Sequence, residues 1–172
     1  MDHFKKIESK CVDWSTAKSI VDQWKASGEK VVFTNGCFDI LHKGHVTYLA
    51  KSADLGTRLV VAVNDDASVR SLGKGENRPI NDQDARMLLL AALSFVDLVV
   101  VFSESTPLEV IELLVPTILV KGGDYDPNES NPASSTYIVG SDCVRAAGGS
   151  VVAIDLVNGY STTSIIEKTK QP

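Results

Sequence analysis

Five short, almost wholly apolar runs alternate with longer segments of helical periodicity, and this alternation restricts the fold more than any other feature of the chain. The runs are Lys30–Thr34, Arg58–Val63, Leu98–Phe102, Thr117–Val120 and Ser150–Leu156. They are rich in β-branched residues and bounded by polar residues or glycine, as strands buried on both faces are. Between them the periodicity predicts helices over Val46–Leu55, Asp82–Leu93, Pro107–Leu114 and Ser135–Ala147, with a closing helix over Thr162–Lys170. Upstream, Trp14, Ala17, Ile20, Val21 and Trp24 share one face of a predicted helix over Asp13–Ser27, which Gly28 stops. Both tryptophans read as core residues rather than as a contact between copies. Strand–helix alternation of this kind means an α/β doubly wound domain, a parallel sheet of about five strands with right-handed crossovers and helices on both faces.

A chain of 172 residues is long enough to bury one proper core. We therefore expect a single domain over 1–172, with 1–28 as an N-terminal helical segment and 29–172 as the core. The net charge of −5 comes with no basic run, which argues against a nucleic-acid partner held through phosphates. No apolar stretch reaches the roughly 18–20 residues needed to span a bilayer, so no membrane partner is expected. The first residues are polar, with no sign of a secretory leader. Cys11, Cys37 and Cys143 are scattered and form no C-x-x-C pair. That pattern fits a reducing cytoplasmic setting without structural zinc.

Ligands of such sheets bind beyond the carboxyl ends of the strands. Four polar segments stand there: Thr34–His45, Asn64-Asp65-Asp66, Lys121–Tyr125 and Asn158–Thr163. Two of the chain's three histidines, His42 and His45, flank Gly44 in the first of these. Three residues apart, they project from one side of a helix's first turn, where orphan backbone N–H groups also point outward. Gly44 lets a ligand approach the backbone closely. Histidine is the side chain most readily charged near neutral pH, so the segment reads as a seat for phosphate oxygens. Zinc is the rival, and no thiolate or third histidine stands by to complete it. Cys37 is a candidate nucleophile on paper, but a small packing residue of the turn is the simpler reading. Ser161, Thr162 and Thr163 form an N-cap and first helical turn, a second place where hydroxyls and N–H groups face outward. Ser71–Asn81 and Gly122–Ser135 are loops whose composition resists packing.

The stretch Thr34-Asn35-Gly36-Cys37-Phe38-Asp39-Ile40-Leu41-His42-Lys43-Gly44-His45 resembles the signature of the HxGH nucleotidyltransferases, in their cytidylyltransferase-like branch. Within that branch the likeness is to the adenylyltransferases that make ADP-heptose from D-glycero-β-D-manno-heptose 1-phosphate. Val61–Val69, Arg78–Asn81, Leu119–Tyr125 and Ser161–Ile166 match the same type in order, so the resemblance runs from about Gly28 to the C-terminus.

It implies a Rossmann-like fold and transfer of AMP from ATP to a sugar 1-phosphate. His42, His45 and Lys74 would be the catalytic residues, on the triphosphate. Asn35, Gly36, Cys37, Phe38 and Gly44 would seat the nucleotide. Lys121, Gly122, Gly123 and Asp124 would form the adenosine pocket, and Gly159, Ser161, Thr162 and Thr163 would hold a β- or γ-phosphate. Arg78 and Arg86 would take the substrate phosphate or the leaving pyrophosphate, although a surface ion pair accounts for Arg86 equally well. Asp39 would orient the sugar phosphate or shape the turn. Lys74 has solvated surface lysine as its plain alternative.

Magnesium is implied as the companion of the triphosphate. The family tends towards homodimers. Its heptose members are often fused to a sugar kinase, for which this chain is too short, so a separate kinase would supply the substrate. The Tyr125–Ile138 segment is longer than in the fused enzymes, which leaves the sugar and its anomer open. Two alternatives stand beside this reading: a cytidylyltransferase for glycerol 3-phosphate or a similar alcohol, and a nucleotide-binding protein without turnover.

Overall fold

The computed structural model describes residues 2–73 and 77–169. Five strands, β1 (Val31–Gly36), β2 (Arg58–Asn64), β3 (Leu98–Phe102), β4 (Ile118–Gly122) and β5 (Ser150–Ile154), form one all-parallel sheet in the order β3-β2-β1-β4-β5. The described helices are α1 (His3–Glu8), α2 (Trp14–Ala26), α3 (Lys43–Ala53), α4 (Asp66–Ser71), α5 (Gln83–Ala91), α6 (Leu108–Leu114), α7 (Ser141–Ala146) and α8 (Thr162–Thr169). This is the expected Rossmann-like α/β architecture.

The strands are apolar on both faces because both faces are covered. Alternate residues of β2 show the division. Val60 and Ala62 join Val21 of α2, Ile111 of α6 and Val144 of α7 in one core cluster. Leu59, Val61 and Val63 join Leu49 of α3 and Leu90 of α5 in the other. Trp14 and Trp24 pack against the first cluster, and the Trp14 indole N–H donates to the Val101 carbonyl at 2.7 Å. Both thus pack within the chain. The outer edge of β3 is covered by Lys10–Val12, which exchanges two backbone hydrogen bonds with Val99. That covering removes an open sheet edge.

Several boundaries differ from expectation. The helix predicted over Ser135–Ala147 begins only at Ser141. Gly140 precedes it with φ +82°, and a Cβ there would lie 2.8 Å from Ile111 Cγ2, so the chain reaches α7 through a left-handed turn. The last strand ends at Ile154 rather than Leu156. Helix α3 begins at Lys43 instead of Val46, which makes His42 its N-cap. Helices α1 and α4 were not predicted, since six residues are too few for periodicity to show. Their aspartate caps were legible: Asp2 accepts from the Lys5 amide and Asp65 from the Ser68 amide. Lys170, predicted to end the closing helix, lies outside the described residues.

Candidate active site

β1 pairs with β2 over six residues but with β4 only at Val32 and Phe33. Past Phe33 the two strands part. The helices also change faces here: α3 and α5, which carry the chain through β2 to β3, lie on one side, while α6 and α7 lie on the other. This is the topological switch point at which open α/β sheets bind ligands. A cleft of about 820 Å³ opens there, walled by segments from the carboxyl ends of all five strands.

The β1–α3 turn forms its floor. Phe38 holds φ +46°, an uncommon conformation for a residue with a side chain, and its ring packs edge-on against His45 with centroids 5.2 Å apart. His42 caps α3: its Nδ1 accepts the His45 backbone N–H at 3.3 Å. The two imidazoles stack with centroids 3.8 Å apart. Gly44 is required between them. A Cβ at that position would lie 2.9 Å from His42 Cε1 and 3.2 Å from Tyr160 Cβ.

Burial lowers the His42 pKa below its ordinary value. With Nδ1 already an acceptor, the proton of the neutral ring sits on Nε2. The sequence suggests a cationic pair; the structure instead makes His42 a neutral donor fixed in one tautomer. Cys37 is buried, its thiol 3.7 Å from Asn64 Oδ1 and its backbone carbonyl taken by Arg86. Packing, not nucleophilic attack, fits that position. Beneath the turn Tyr48 and Thr34 share a hydrogen bond at 2.7 Å, and burial pushes the tyrosine up to about 12, so it stays neutral.

Asp39 and Arg78 border the same cleft but are largely engaged with each other. Asp39 is buried. It accepts from Arg78 Nε and from the backbone N–H groups of Ile80 at 2.7 Å and Asn81 at 3.0 Å, while its own carbonyl accepts from Asn81 Nδ2. Of the two readings of this aspartate, shaping the turn is the one its bonds support. Arg86 departs from both of its expected roles. It is 0% exposed and donates to the Asn81 carbonyl at 3.0 Å, the Cys37 carbonyl at 2.8 Å and Asp66 Oδ1 at 2.8 Å. It is an internal strut that ties α5 to the β1–α3 turn and α4, and it does not border the cleft.

The opposite wall comes from the segment after β5. Ser161 Oγ accepts the Ser164 backbone N–H at 3.0 Å, so it caps α8, and Ser161, Thr162 and Thr163 all line the cleft. The Lys43 ammonium lies 5.0 Å from the Tyr160 ring centroid, joining the start of α3 to the turn that leads into α8. Lys121 and Gly122 line the cleft where β4 ends, and Lys121 Nζ donates to Asn35 Oδ1 at 2.6 Å. Gly123, Asp124 and Gly159 stand beside this wall but do not form it. Lys74 lies outside the described residues.

Sequence reasoning passed over the end of β3, where Ser105, Thr106 and Pro107 complete the rim. It also passed over Leu156, which is 52% exposed and lines the cleft. Their signal was available, since each sits within a few residues of a strand's carboxyl end.

Among the described residues no group of three or more His, Cys, Asp and Glu side chains could hold a metal ion. Asp39, the cleft's only described carboxylate, is taken by Arg78 and two amides. The donor set therefore fits a cation brought in by a triphosphate, not one caged by protein carboxylates. No described helix is long and apolar enough to cross a membrane.

A family profile described as cytidylyltransferase-like matches residues 33–168, the segment that carries both helix starts and the whole cleft. The chain belongs to the cytidylyltransferase-like family. Among curated relatives of this family member, the bifunctional protein HldE of Azorhizobium caulinodans is 53% identical over 154 residues, covering 90% of this chain and 30% of that protein. HldE of Magnetococcus marinus is 51% identical over 159 residues, covering 92% and 31% respectively. The chain thus spans just under a third of the length of these relatives. The solved lipopolysaccharide core biosynthesis protein of Thermoplasma volcanium is 30% identical with a TM-score of 0.58, covering 78% of this chain and all of that one. Pantoate-beta-alanine ligase of Francisella tularensis, solved with beta-gamma ATP and beta-alanine, has a TM-score of 0.60 at 14% identity, covering 93% of this chain and 76% of that one. At that identity it supports the fold alone.

Proposed function

We propose that this cytidylyltransferase-like protein transfers AMP from ATP to D-glycero-D-manno-heptose 1-phosphate, giving ADP-heptose and pyrophosphate. One observation carries the reading: two helix starts, His42–His45 on α3 and Ser161–Thr163 on α8, converge on one cleft at the sheet's switch point. Exposed N–H groups and helix dipoles at two such starts suit a triphosphate. The identity of about half the residues to HldE over 90% of this chain supports the same choice of reaction.

In this scheme an oxygen of the sugar phosphate attacks the α-phosphorus of ATP in line. The new P–O bond forms as the bond from the α-phosphorus to the α,β-bridging oxygen breaks, and the electron pair leaves with pyrophosphate. The nucleophile is already an anion, so no general base is needed. His42, holding its proton at Nε2, and His45 donate to phosphate oxygens whose charge grows in the transition state. Lys74, four residues before Arg78 in the sequence, would add a cation. Ser161, Thr162 and Thr163 hold the phosphates that leave. Magnesium brought in with the nucleotide would offset the charge of its phosphates. Asp39, Arg78 and Arg86 keep the turn and the 77–82 segment in register beneath the reacting groups. A cytoplasmic setting, a kinase activity that supplies the sugar phosphate, and use of the product in lipopolysaccharide core assembly belong to the same proposal.

The test is pyrophosphate release with heptose 1-phosphate, magnesium and each nucleoside triphosphate in turn. ATP should be the preferred donor. CTP outperforming ATP, or glycerol 3-phosphate outperforming the heptose, would overturn the assignment.

A further inference from the structure

From the end of β4 the Lys121 side chain crosses the parting between β4 and β1 to reach Asn35 Oδ1 at 2.6 Å. Asn35 is an amide, so the contact aims the ammonium without cancelling its charge. Among the described residues no carboxylate lies within ion-pair distance of Lys121. The Tyr125 ring lies beside it with its centroid 5.5 Å away, and Cys37 is near enough to act on its charge. An ammonium has three donors, and Asn35 takes one. The cleft lies beside the others. Burial, opposed in part by the nearby Cys37, holds this lysine down to about 8.

A nucleobase offers only neutral acceptors and gives little reason to bury a cation. An anion does. We propose that Lys121 is a phosphate ligand of the reacting pair, gripping an oxygen of the nucleotide's α-phosphate or of the acceptor's phosphate, with Asn35 as its positioning residue. The inference rests on the nucleotidyltransferase reading and replaces the part of it that gives Lys121 to the adenosine pocket. Asparagine rather than aspartate at position 35 follows directly. A carboxylate there would form a buried ion pair and remove the field that the phosphate meets.

Calorimetric titration of wild type, Lys121→Met and Asn35→Asp with adenosine, AMP and heptose 1-phosphate tests the assignment, with cytidine and CMP run alongside. Both variants should lose roughly 10- to 100-fold in affinity for one phosphate-bearing ligand, the loss expected for a charged hydrogen bond, with nucleoside affinity unchanged. Loss confined to AMP or CMP identifies the α-phosphate. Loss confined to the sugar phosphate identifies the acceptor. Unchanged affinities, or a nucleoside weakened as much as its monophosphate, overturn the assignment alone. A wild type that binds neither nucleotide pair overturns the nucleotidyltransferase reading and this assignment with it.

A second measurement does not depend on how Lys121→Met folds. Cys37, His42, His45, Tyr48 and Tyr125 border the same cleft, and Asp39 and Arg78 are paired with each other. At pH 8.5, wild type should take up a proton on binding the relevant phosphate, measured in two buffers of different ionisation enthalpy. Lys121→Arg, charged at all working pH, should bind but take up less. Equal uptake by both proteins overturns the proposal.

Discussion

At the start of α3 the two imidazole rings lie 3.8 Å apart, a spacing that two positive charges would oppose, and burial favours the neutral form of His42. Donation from a neutral His42 ring still stabilises growing charge on the phosphates. Replacing His45 with alanine should lower turnover by about 100- to 1000-fold, the scale of a lost charge-stabilising donor, with little change in the unfolding midpoint. Steady-state pyrophosphate release beside thermal melts checks this, and unaltered turnover removes the residue from the chemistry.

Lys121 predicts the opposite balance. Its folded value of about 8 lies below the ordinary 10.5. Between these two values the unfolded chain holds a proton that the folded chain does not, so stability rises with pH across that window. Below pH 8 both states are protonated, and the fold bears the full cost of the buried charge. Lys121→Met should therefore be more stable than wild type at pH 7, by up to about 3 kcal/mol, with the gain shrinking by pH 9.5. Urea midpoints at the two pH values decide it. Both histidines were legible because polar residues in a strand-to-helix turn stand out. The state of His42 was not, because burial is a property of the assembled site.

Among elements, α5 shows most plainly what a sequence hides. Its start was readable from Asp82, whose carboxylate accepts the Ala85 N–H at 2.8 Å, and its length from periodicity. Arg86 was misjudged because an arginine in an exposed-looking helical run is usually solvated, while its partners, Cys37 and Asp66, lie 49 and 20 residues away. Local pattern carries no information about such contacts. Removing one member of a buried charged network typically costs about 3–5 kcal/mol, so Arg86→Met should unfold at markedly lower denaturant. Lysine, which lacks the planar fork that serves three acceptors at once, should restore little of the loss. Equal midpoints for wild type and Arg86→Met would show the strut to be dispensable. The overlong prediction at α7 has a similar cause. Gly140 sits mid-run, and only its left-handed turn against Ile111 shows that the helix has not yet begun.

Across the whole molecule, strand–helix alternation was enough to expect a parallel sheet covered on both sides, because that pattern has few compact solutions. Strand order and the place where the helices change sides depend on non-local pairing, which no single run encodes. That place is also where the sheet is least stitched, since β1 meets β4 at two registers and β2 at six. At that end the two sides are joined by contacts such as the Lys121–Asn35 bridge and the Lys43–Tyr160 pair. Whatever fills the gap becomes a clasp between them. The substrates of such an enzyme are in this sense also components of its architecture, lending the loaded protein a rigidity that the empty one must do without.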